Sequence, residues 1–475
     1  MGPRGRSRRA TVLTGRILGL KNNNDQNKQN LTRTDFMKLM RLLPLSAAIG
    51  LALAGPVRAE TLLELYESAR AYDATWQSAK SQYDANVYRA EQARAGLLPQ
   101  AGLSVGLTRG GIDNKPGADR FFTTQNATLS ASQPLYRPAN LATYRQGQRQ
   151  AELAAYQLAA ASQDLIIRVS QAYFDVLASQ DTLAFVRAQK AAVAEQLASA
   201  KRNFEVGTST ITDTREAQAR YDLVLAQEIA AENDLRVKRL ALDTLVGRTN
   251  AQANPLASPL NVPPPQPADP DAWVLSAENA SPAIQQARSA VEIAELETEK
   301  AKAGHKPTID LTTSLAYAHN LGGNSAAAVN STPKSGNLGV AFNLPLFAGF
   351  ATQNRIRETL SLEEKARSDL EATRRQVAQA VRTAYFGVVS GQGQVRALEA
   401  AEASSQSALD ANRLGYQVGV RINIDVLNAQ SQLFQTKRDL AQARYNVLLG
   451  HLRLRQANGT LQPEDLVRLN TLLAR

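Results

Sequence analysis

The sequence predicts a mainly α-helical, internally duplicated chain with a smaller β portion of the kind that spans membranes. Three observations predict this class: a repeat at a fixed offset, very long helical stretches with an apolar seam, and short segments in which apolar and small polar residues alternate. Each half is expected to run short helix, strand, loop, strand, very long helix, turn and medium helix.

The first 59 residues are expected to form a leader rather than a folded domain. They carry eleven Lys or Arg and only two acids, so most of the formal net charge of +11 belongs to them. A charged start at Met37 is followed by an apolar run from Leu42 to Ala54 and by small residues before Ala59. We therefore predict a signal peptide that begins at Met37 and is cleaved after Ala59.

The remainder contains two copies of one unit, because matching segments lie 212 residues apart. Val169–Val176 returns as Val381–Val388, and Gly207 returns as Gly419. The first repeat is predicted to cover residues 60–253 and the second 281–458, with a proline-rich connector at 254–280 and a C-terminal segment at 459–475. A unit that repeats with its register intact implies a pseudo-symmetric fold.

Within each repeat, prolines and glycines mark where the elements begin and end. The predicted elements of the first repeat are about 61–95, 97–109, 121–136, 138–205 and 213–247, and those of the second are about 282–303, 307–319, 337–347, 350–417 and 424–457.

The long helices carry a heptad-like seam that predicts packing against neighbouring helices. A helix over 138–205 would be on the order of 100 Å long, which suits a bundle or tube better than a compact monomer. A coiled-coil scaffold is the alternative that this seam alone leaves open. The seam of the first long helix consists of Leu165, Val169, Ala172, Val176, Ser179, Leu183, Val186, Lys190, Val193, Leu197, Ala200 and Phe204.

The strands alternate with period two, and their opposite faces are small and polar rather than charged. This pattern is typical of strands with lipid outside and water inside, although a two-layer soluble β-domain remains an alternative. Two hairpins per chain cannot close a barrel with a lumen, so several chains are expected to share one barrel. The apolar faces are Leu103, Val105 and Leu107; Leu129, Ala131 and Leu135; Ile309, Leu311, Leu315 and Tyr317; and Leu338, Val340, Phe342 and Leu344.

Several short motifs, together with the order of elements, resemble the TolC family of outer-membrane channels. The resemblance extends from Glu60 to the carboxyl terminus and rests on the combination of motifs rather than on any one of them. The motifs are Leu97-Leu98-Pro99-Gln100, Ala172-Tyr173-Phe174-Asp175, Arg202-Asn203-Phe204-Glu205-Val206-Gly207, Ile211-Thr212-Asp213, Leu344-Pro345-Leu346-Phe347, Gly415-Tyr416-Gln417-Val418-Gly419 and Asp425-Val426-Leu427.

The resemblance implies a homotrimer in the outer membrane of a Gram-negative bacterium, extending into the periplasm. Its shared 12-stranded β-barrel, four strands per chain, would continue into an α-helical tunnel surrounded by a belt formed by the connector and the C-terminal segment. It also implies a duct for type I protein secretion, drug efflux or both, which opens when helix pairs untwist. The partners implied are a periplasmic adaptor and an inner-membrane ABC or proton-driven RND pump.

The same resemblance implies an inner gate near the helix turns. Tyr416 and Arg421 would bond to Thr212 and Asp213, partly within a chain and partly between chains. The alternative is that Asp213 and Asp425 are ordinary helix N-caps. By the same comparison Asp425 and Asn428 would line the entrance, where an uncharged Asn428 weakens the expectation of cation selectivity. Docking to the adaptor is expected at the turns, at Gly207, Thr208, Gly419 and Val420.

Motifs for catalysis, phosphate binding or metal binding are not found in the sequence. His305, His319 and His451 are scattered without paired spacing. We therefore expect neither an enzyme nor a bound cofactor or metal, and a near-neutral predicted mature chain gives little support to nucleic-acid binding. A non-channel periplasmic coiled-coil scaffold is the alternative function, and it predicts solubility without detergent and no conductance.

Overall fold

The structure is a computed structural model that describes residues 61–113, 119–257 and 262–471. The predicted signal peptide, with its start at Met37 and cleavage after Ala59, lies outside these ranges. Parts of three further predictions do so too: the first hairpin tip at 114–118, the connector at 258–261 and the C-terminal segment at 472–475.

The first repeat begins with two helices, α1 (Leu62–Tyr72) and α2 (Ala74–Arg94), where the sequence predicted one over 61–95. Asp73 separates them because its carboxylate caps α2, accepting a hydrogen bond from the backbone N–H of Trp76 at 2.7 Å. The same carboxylate receives the Arg168 guanidinium at 2.8 Å. A tertiary ion pair thus stabilises this break between two helices, at which the sequence has no proline or glycine.

Two long helical hairpins form most of the chain. Hairpin 1 comprises α3 (Pro138–Glu205) and α4 (Ile211–Val246). In the second repeat, α5 (Pro270–Ala280) and α6 (Pro282–Lys302) come first, and hairpin 2 then follows as α7 (Ala351–Gln417) and α8 (Asn423–Asn458). A short α9 (Glu464–Asn470) follows.

The predicted seam of α3 is confirmed, since most of its apolar positions are buried against neighbouring helices. The largest cluster lies where α1, α3, α4 and α8 meet, and it includes Tyr66, Tyr173, Phe174 and Tyr445. Among the described residues, no helix combines the length and the apolar character needed to cross a bilayer.

Hydrogen bonds join the connector to the two hairpins. They come from the tyrosine of the Ala-Tyr-Phe motif, which occurs once in each repeat. The Tyr173 hydroxyl donates to the carbonyl oxygen of Asn254 at 3.1 Å, and the Tyr385 hydroxyl donates to that of Ala268 at 2.5 Å. Both tyrosines are buried and lie 212 residues apart. The duplication therefore supplies one anchor from each hairpin to a segment that is itself not duplicated.

Four antiparallel strands form a single sheet in the order β1 (Gln100–Ile112), β2 (Arg120–Tyr136), β3 (Thr308–Leu321) and β4 (Lys334–Asn343). Leu103 lies opposite Leu129, which lies opposite Leu315. Each repeat contributes one hairpin, and β2 joins β3 across the two repeats. The fourth strand begins earlier than predicted, because Lys334 pairs with Tyr317, and it ends before Pro345, which has no N–H for the ladder.

The apolar side chains share one face of this sheet, as predicted, and that face is exposed in a single chain. Val105 and Leu338 are both 76% exposed, and the described elements place no second layer over them. At the helical end of β2, a bulge between Pro134 and Tyr136 leaves Leu135 without a pairing partner in β3, and Tyr136 pairs with Ile309. This uncovered face contradicts a two-layer soluble β-domain, because such a domain buries its apolar face and does not leave it in contact with water.

Candidate functional site

The turns at the ends of the two hairpins, at residues 206–210 and 418–422, have one geometry and are here named the tip turns. Three backbone N–H groups of each turn donate to carbonyls of the long helix at positions that match under the 212-residue offset, and in the second turn the Arg421 N–H adds a fourth bond. Gly207 and Gly419 both have φ +79°, a left-handed conformation that favours glycine. The four residues predicted for docking are therefore exposed at the tips of rigid turns: Gly207, Thr208, Gly419 and Val420.

Asp213 lies in a capping box at the start of α4. Its carboxylate accepts hydrogen bonds from the Ser209 hydroxyl at 2.7 Å and from the Thr210 backbone N–H at 3.0 Å. Burial tends to raise the pKa of Asp213, but these hydrogen bonds hold it below its ordinary value. The N-cap is Thr210 rather than Asp213, because α4 begins earlier than predicted, and Asp213 is the third helical residue. Thr212, beside it, is exposed.

Tyr416 and Arg421 lie at the end of α7 and in the turn after it. The Tyr416 ring packs against the cluster of α7 and α8, and its hydroxyl oxygen accepts from the Asn203 side-chain amide at 3.5 Å. The Arg421 guanidinium lies 3.6 Å from the Asp425 carboxylate.

Within one chain, the contacts of the described residues thus join Tyr416 to hairpin 1 through Asn203 rather than through Thr212 or Asp213. Asp425 lies near the start of α8 and is half-buried, whereas Asn428, one turn further, is exposed. The proposed bonds between neighbouring chains remain a prediction.

Close to the tip turns, two polar residues of α8 bond to hairpin 1, and one of them was missed from sequence. Asn423 is fully buried, accepts a hydrogen bond from the Gln196 side chain, and donates to the backbone carbonyl of Asp213 at 3.4 Å. The side-chain amide oxygen of Asn428 accepts a hydrogen bond from the Arg220 guanidinium at 2.8 Å. A signal existed for Asn423, because the position 212 residues earlier holds an exposed apolar residue, so the two repeats differ there in polarity.

Each hairpin also contains an ion pair at equivalent positions, with the charges exchanged. In hairpin 1, Arg187 of the long helix meets Glu232 of the medium helix at 2.6 Å. In hairpin 2, Glu399 of the long helix meets Arg444 of the medium helix at 2.9 Å. Arg187 and Glu399 lie 212 residues apart, and so do Glu232 and Arg444. The two hairpins are therefore alike in shape and opposite in the sign of this pair.

Hairpin 1 has an additional buried carboxylate, Glu228. Its oxygens contact Lys190 and Arg187, and these cations hold the pKa of Glu228 below its ordinary value. The equivalent position in hairpin 2 is Leu440. Within the described ranges, no group of three or more His, Asp or Glu side chains could hold a metal ion.

Comparison with known proteins gives a consistent result. The protein family described as "Outer membrane efflux protein" matches residues 65–248 and 273–460. Outer membrane protein TolC of Vibrio cholerae is 35% identical over 434 residues, covering 91% of this chain and 98% of that protein. The alkaline protease secretion protein AprF of Pseudomonas aeruginosa is 32% identical and covers 85% of each chain. Among solved structures, outer membrane protein VceC from Vibrio cholerae superposes with a TM-score of 0.72 at 20% identity, covering 84% of this chain and 96% of that one.

Proposed function

The chain belongs to the outer membrane efflux protein family and is an outer-membrane channel that extends into the periplasm, and from this premise we propose that three copies form one exit duct. The four-stranded sheet supports this assembly, because its edge strands β1 and β4 carry unpaired backbone groups in a single chain. Such edges are not tolerated in lipid. Three sheets joined edge to edge would pair every strand and give a barrel with a lumen.

The duct is gated at its periplasmic end by the tip turns. The observation that carries this proposal is the small number of polar links between hairpin 2 and hairpin 1 close to the tip turns: Asn423 to Gln196 and to the Asp213 carbonyl, Arg220 to Asn428, and Asn203 to Tyr416. Hydrogen bonds of this kind contribute only about 0.5–1.5 kcal/mol each, so a partner can break them without unfolding a helix. Tyr416 and Arg421 would complete the gate by bonding to Thr212 and Asp213 of a neighbouring copy.

The entrance is lined by Asp425 and Asn428, and we propose only weak cation selectivity there. Asp425 lies near the Arg421 guanidinium, and Asn428 carries no charge and already receives a hydrogen bond from Arg220. A carboxylate ring attracts cations strongly only where its charge is not offset by nearby cations.

The tip turns also dock the partners that supply energy. Exposed apolar side chains surround the docking residues: Val206, Val418 and Val420 are between 65% and 75% exposed. A periplasmic adaptor would cover them and connect the duct to an inner-membrane pump. That pump is an ABC exporter or a proton-driven RND pump. The relative named as a protease secretion protein favours an exporter of protein cargo, and another relative, named a cobalt-zinc-cadmium resistance protein, favours efflux of small cargo.

The gate is tested by single-channel recording of the purified protein in planar bilayers. We expect Tyr416→Phe with Arg421→Ser to raise the closed-state conductance several-fold, because both changes remove donors at the tip turns. Arg413→Ser is the matched control, since Arg413 is an exposed arginine on the same helix before the turn. Unchanged closed-state conductance in the double variant would contradict the gate, and a protein that passes no ions would contradict the duct itself.

The alternative of a periplasmic coiled-coil scaffold accounts for the helical seam but not for the sheet. The uncovered apolar face of four strands and the family match over most of the chain both favour a membrane channel. The same recording separates the two functions, because a scaffold conducts nothing and needs no detergent.

A further inference from the structure

Towards the hairpin tips, three basic residues join the apolar side chains on the same face of the sheet, where Leu321 lies at the level of Arg109 and Phe121 lies beyond it. On β1, Arg109 lies two residues beyond Leu107. Leu107 and His319 of β3 lie at the same level, because both pair with Gln125 of β2. At the start of β4, Lys334 pairs with Tyr317. Directly paired residues point to the same face of a sheet and successive ones alternate. Arg109, His319 and Lys334 therefore all project from the apolar face, within two steps of the register.

Within the four strands, these basic residues are not matched by acids. Asp310 is the only Asp or Glu in the four strands, and it lies on the opposite face at the helical end of the sheet, where it pairs with Arg137 at 2.7 Å. None of the three basic residues forms a salt bridge with another described residue. Arg109 and Lys334 are exposed, and the Lys334 ammonium lies 5.9 Å from the centre of the Tyr317 ring. Among strand residues, the charged groups on the apolar face are therefore all basic, and Asp113 and Asp119 lie just outside β1 and β2.

The position of these basic residues relative to a bilayer follows from the register. The continuous apolar band extends from the pair of Ile309 and Phe342 up to Leu107, and Leu321 and Phe121 follow it at and beyond the level of the basic residues. Strands tilted as in membrane barrels make such a band about 25 Å tall, which is the height of the hydrocarbon layer. Because the helices extend from the other end of the strands into the periplasm, Arg109, His319 and Lys334 lie at the depth of the outer-leaflet headgroups.

We propose that Arg109, His319 and Lys334 bind the phosphate groups of the glycolipid that forms the outer leaflet of the outer membrane. Long basic side chains at this depth extend towards the headgroups while their stems remain on apolar surface. Guanidinium and ammonium groups are the donors that phosphate oxygens accept most strongly. This inference goes beyond the duct function and concerns the lipid that surrounds the barrel.

The sheet order adds a second reason. Lys334 lies on the β4 edge and Arg109 lies on the β1 edge, and closing the barrel joins the β4 edge of one copy to the β1 edge of the next. This step rests on the proposed trimer, in which the two strands that carry these residues meet at each junction. We expect a phosphorylated headgroup bound there to contact two copies and to stabilise the junction between them.

The proposal is tested by native mass spectrometry of the full chain in neutral detergent, titrated with diphosphorylated lipid A. We expect Arg109→Gln with Lys334→Gln to weaken binding about 30-fold, from roughly fivefold for each cation at a lipid surface. The wild-type protein is expected to bind dephosphorylated lipid A no better than the double variant binds the phosphorylated form. The control is Lys306→Gln, which removes an exposed lysine at the opposite end of β3 and should bind lipid A as the wild type does.

Equal affinity of the wild type and the double variant for diphosphorylated lipid A would overturn the proposal, and so would an equal loss in the Lys306→Gln control. Displacement of bound lipid A by millimolar inorganic phosphate alone would also overturn it, because the site would then select the free ion. Conductance of each variant reports folding and duct function separately from lipid binding. If the double variant does not assemble, the two single variants, with an expected fivefold loss each, decide the question.

Discussion

At the scale of single residues, Tyr173 and Tyr385 occupy equivalent positions in the two repeats but hold the connector by different numbers of bonds. The Tyr173 hydroxyl donates to the Asn254 carbonyl at 3.1 Å and accepts from the Asn254 backbone N–H at 2.9 Å. The Tyr385 hydroxyl donates to the Ala268 carbonyl alone. Burial raises the pKa of Tyr173, so its hydroxyl remains a donor at any physiological pH.

Tyr173→Phe is therefore expected to cost more than Tyr385→Phe. Removing the Tyr173 hydroxyl leaves two backbone groups of the half-buried Asn254 without this partner, and a fully buried unsatisfied group costs about 1–3 kcal/mol. Removing the Tyr385 hydroxyl leaves one group, on the exposed Ala268, which water can reach. The measurement is the denaturant midpoint of each variant in detergent micelles, and a larger loss for Tyr385→Phe would contradict the difference in anchoring.

At the scale of elements, the exchanged ion pairs distinguish two hairpins that otherwise share one shape. Arg187 and Glu232 hold hairpin 1, and Glu399 and Arg444 hold hairpin 2. If a long helix packed against the medium helix of the other repeat in the same register, like charges would meet at both positions. Like charges at close range disfavour a contact, so the signs favour the correct pairing of helices.

Arg187→Glu is expected to lower the unfolding midpoint, because the new carboxylate faces Glu232 and also lies near Glu228. Adding Glu232→Arg restores an attractive pair and should recover most of the loss. Thermal unfolding in detergent measures both variants. The same test is repeated in hairpin 2. Glu399→Arg is the single variant there, and the double variant adds Arg444→Glu. A double variant no more stable than the single one would argue against the ionic pairing.

The elements also show where sequence reasoning succeeded. The bounds predicted for the first long helix, 138–205, are those of α3, because Pro138 starts it and Gly207 follows its end. The break at Asp73 was not predicted, since its cause is the contact with Arg168, about a hundred residues away in sequence. Helix α5 within the connector was not predicted either, because the prolines around it dominate the local pattern.

At the scale of the whole molecule, the exposed apolar face of the sheet determines where the chain resides. Leu338 lies near the middle of this face and is 76% exposed. An apolar face of this kind is stable only against lipid or another apolar surface. The helical hairpins, in contrast, expose many charged side chains and pair them along their length, as expected for the periplasm.

Leu338→Arg is expected to destabilise the barrel by about 2–4 kcal/mol, the cost of a cation at the middle of the lipid face. The control is Asn337→Arg, because Asn337 is the neighbouring residue on the opposite, lumen-facing side of the same strand. The amount of folded protein recovered from the outer membrane reports the difference. Equal recovery of the two variants would mean that Leu338 does not face lipid.

The sequence by itself determined the duplication, the long helices, the alternating strands and the family, because periodicity, turn residues and repeated motifs are local properties of the chain. Only the tertiary structure decided which groups meet at the tip turns, where Asn423 rather than a predicted gate residue links α8 to the Asp213 carbonyl. It alone also brought Arg109, His319 and Lys334 to one border of the sheet. Such contacts and shared faces depend on strand register and on helix packing between distant segments, and no local pattern encodes these.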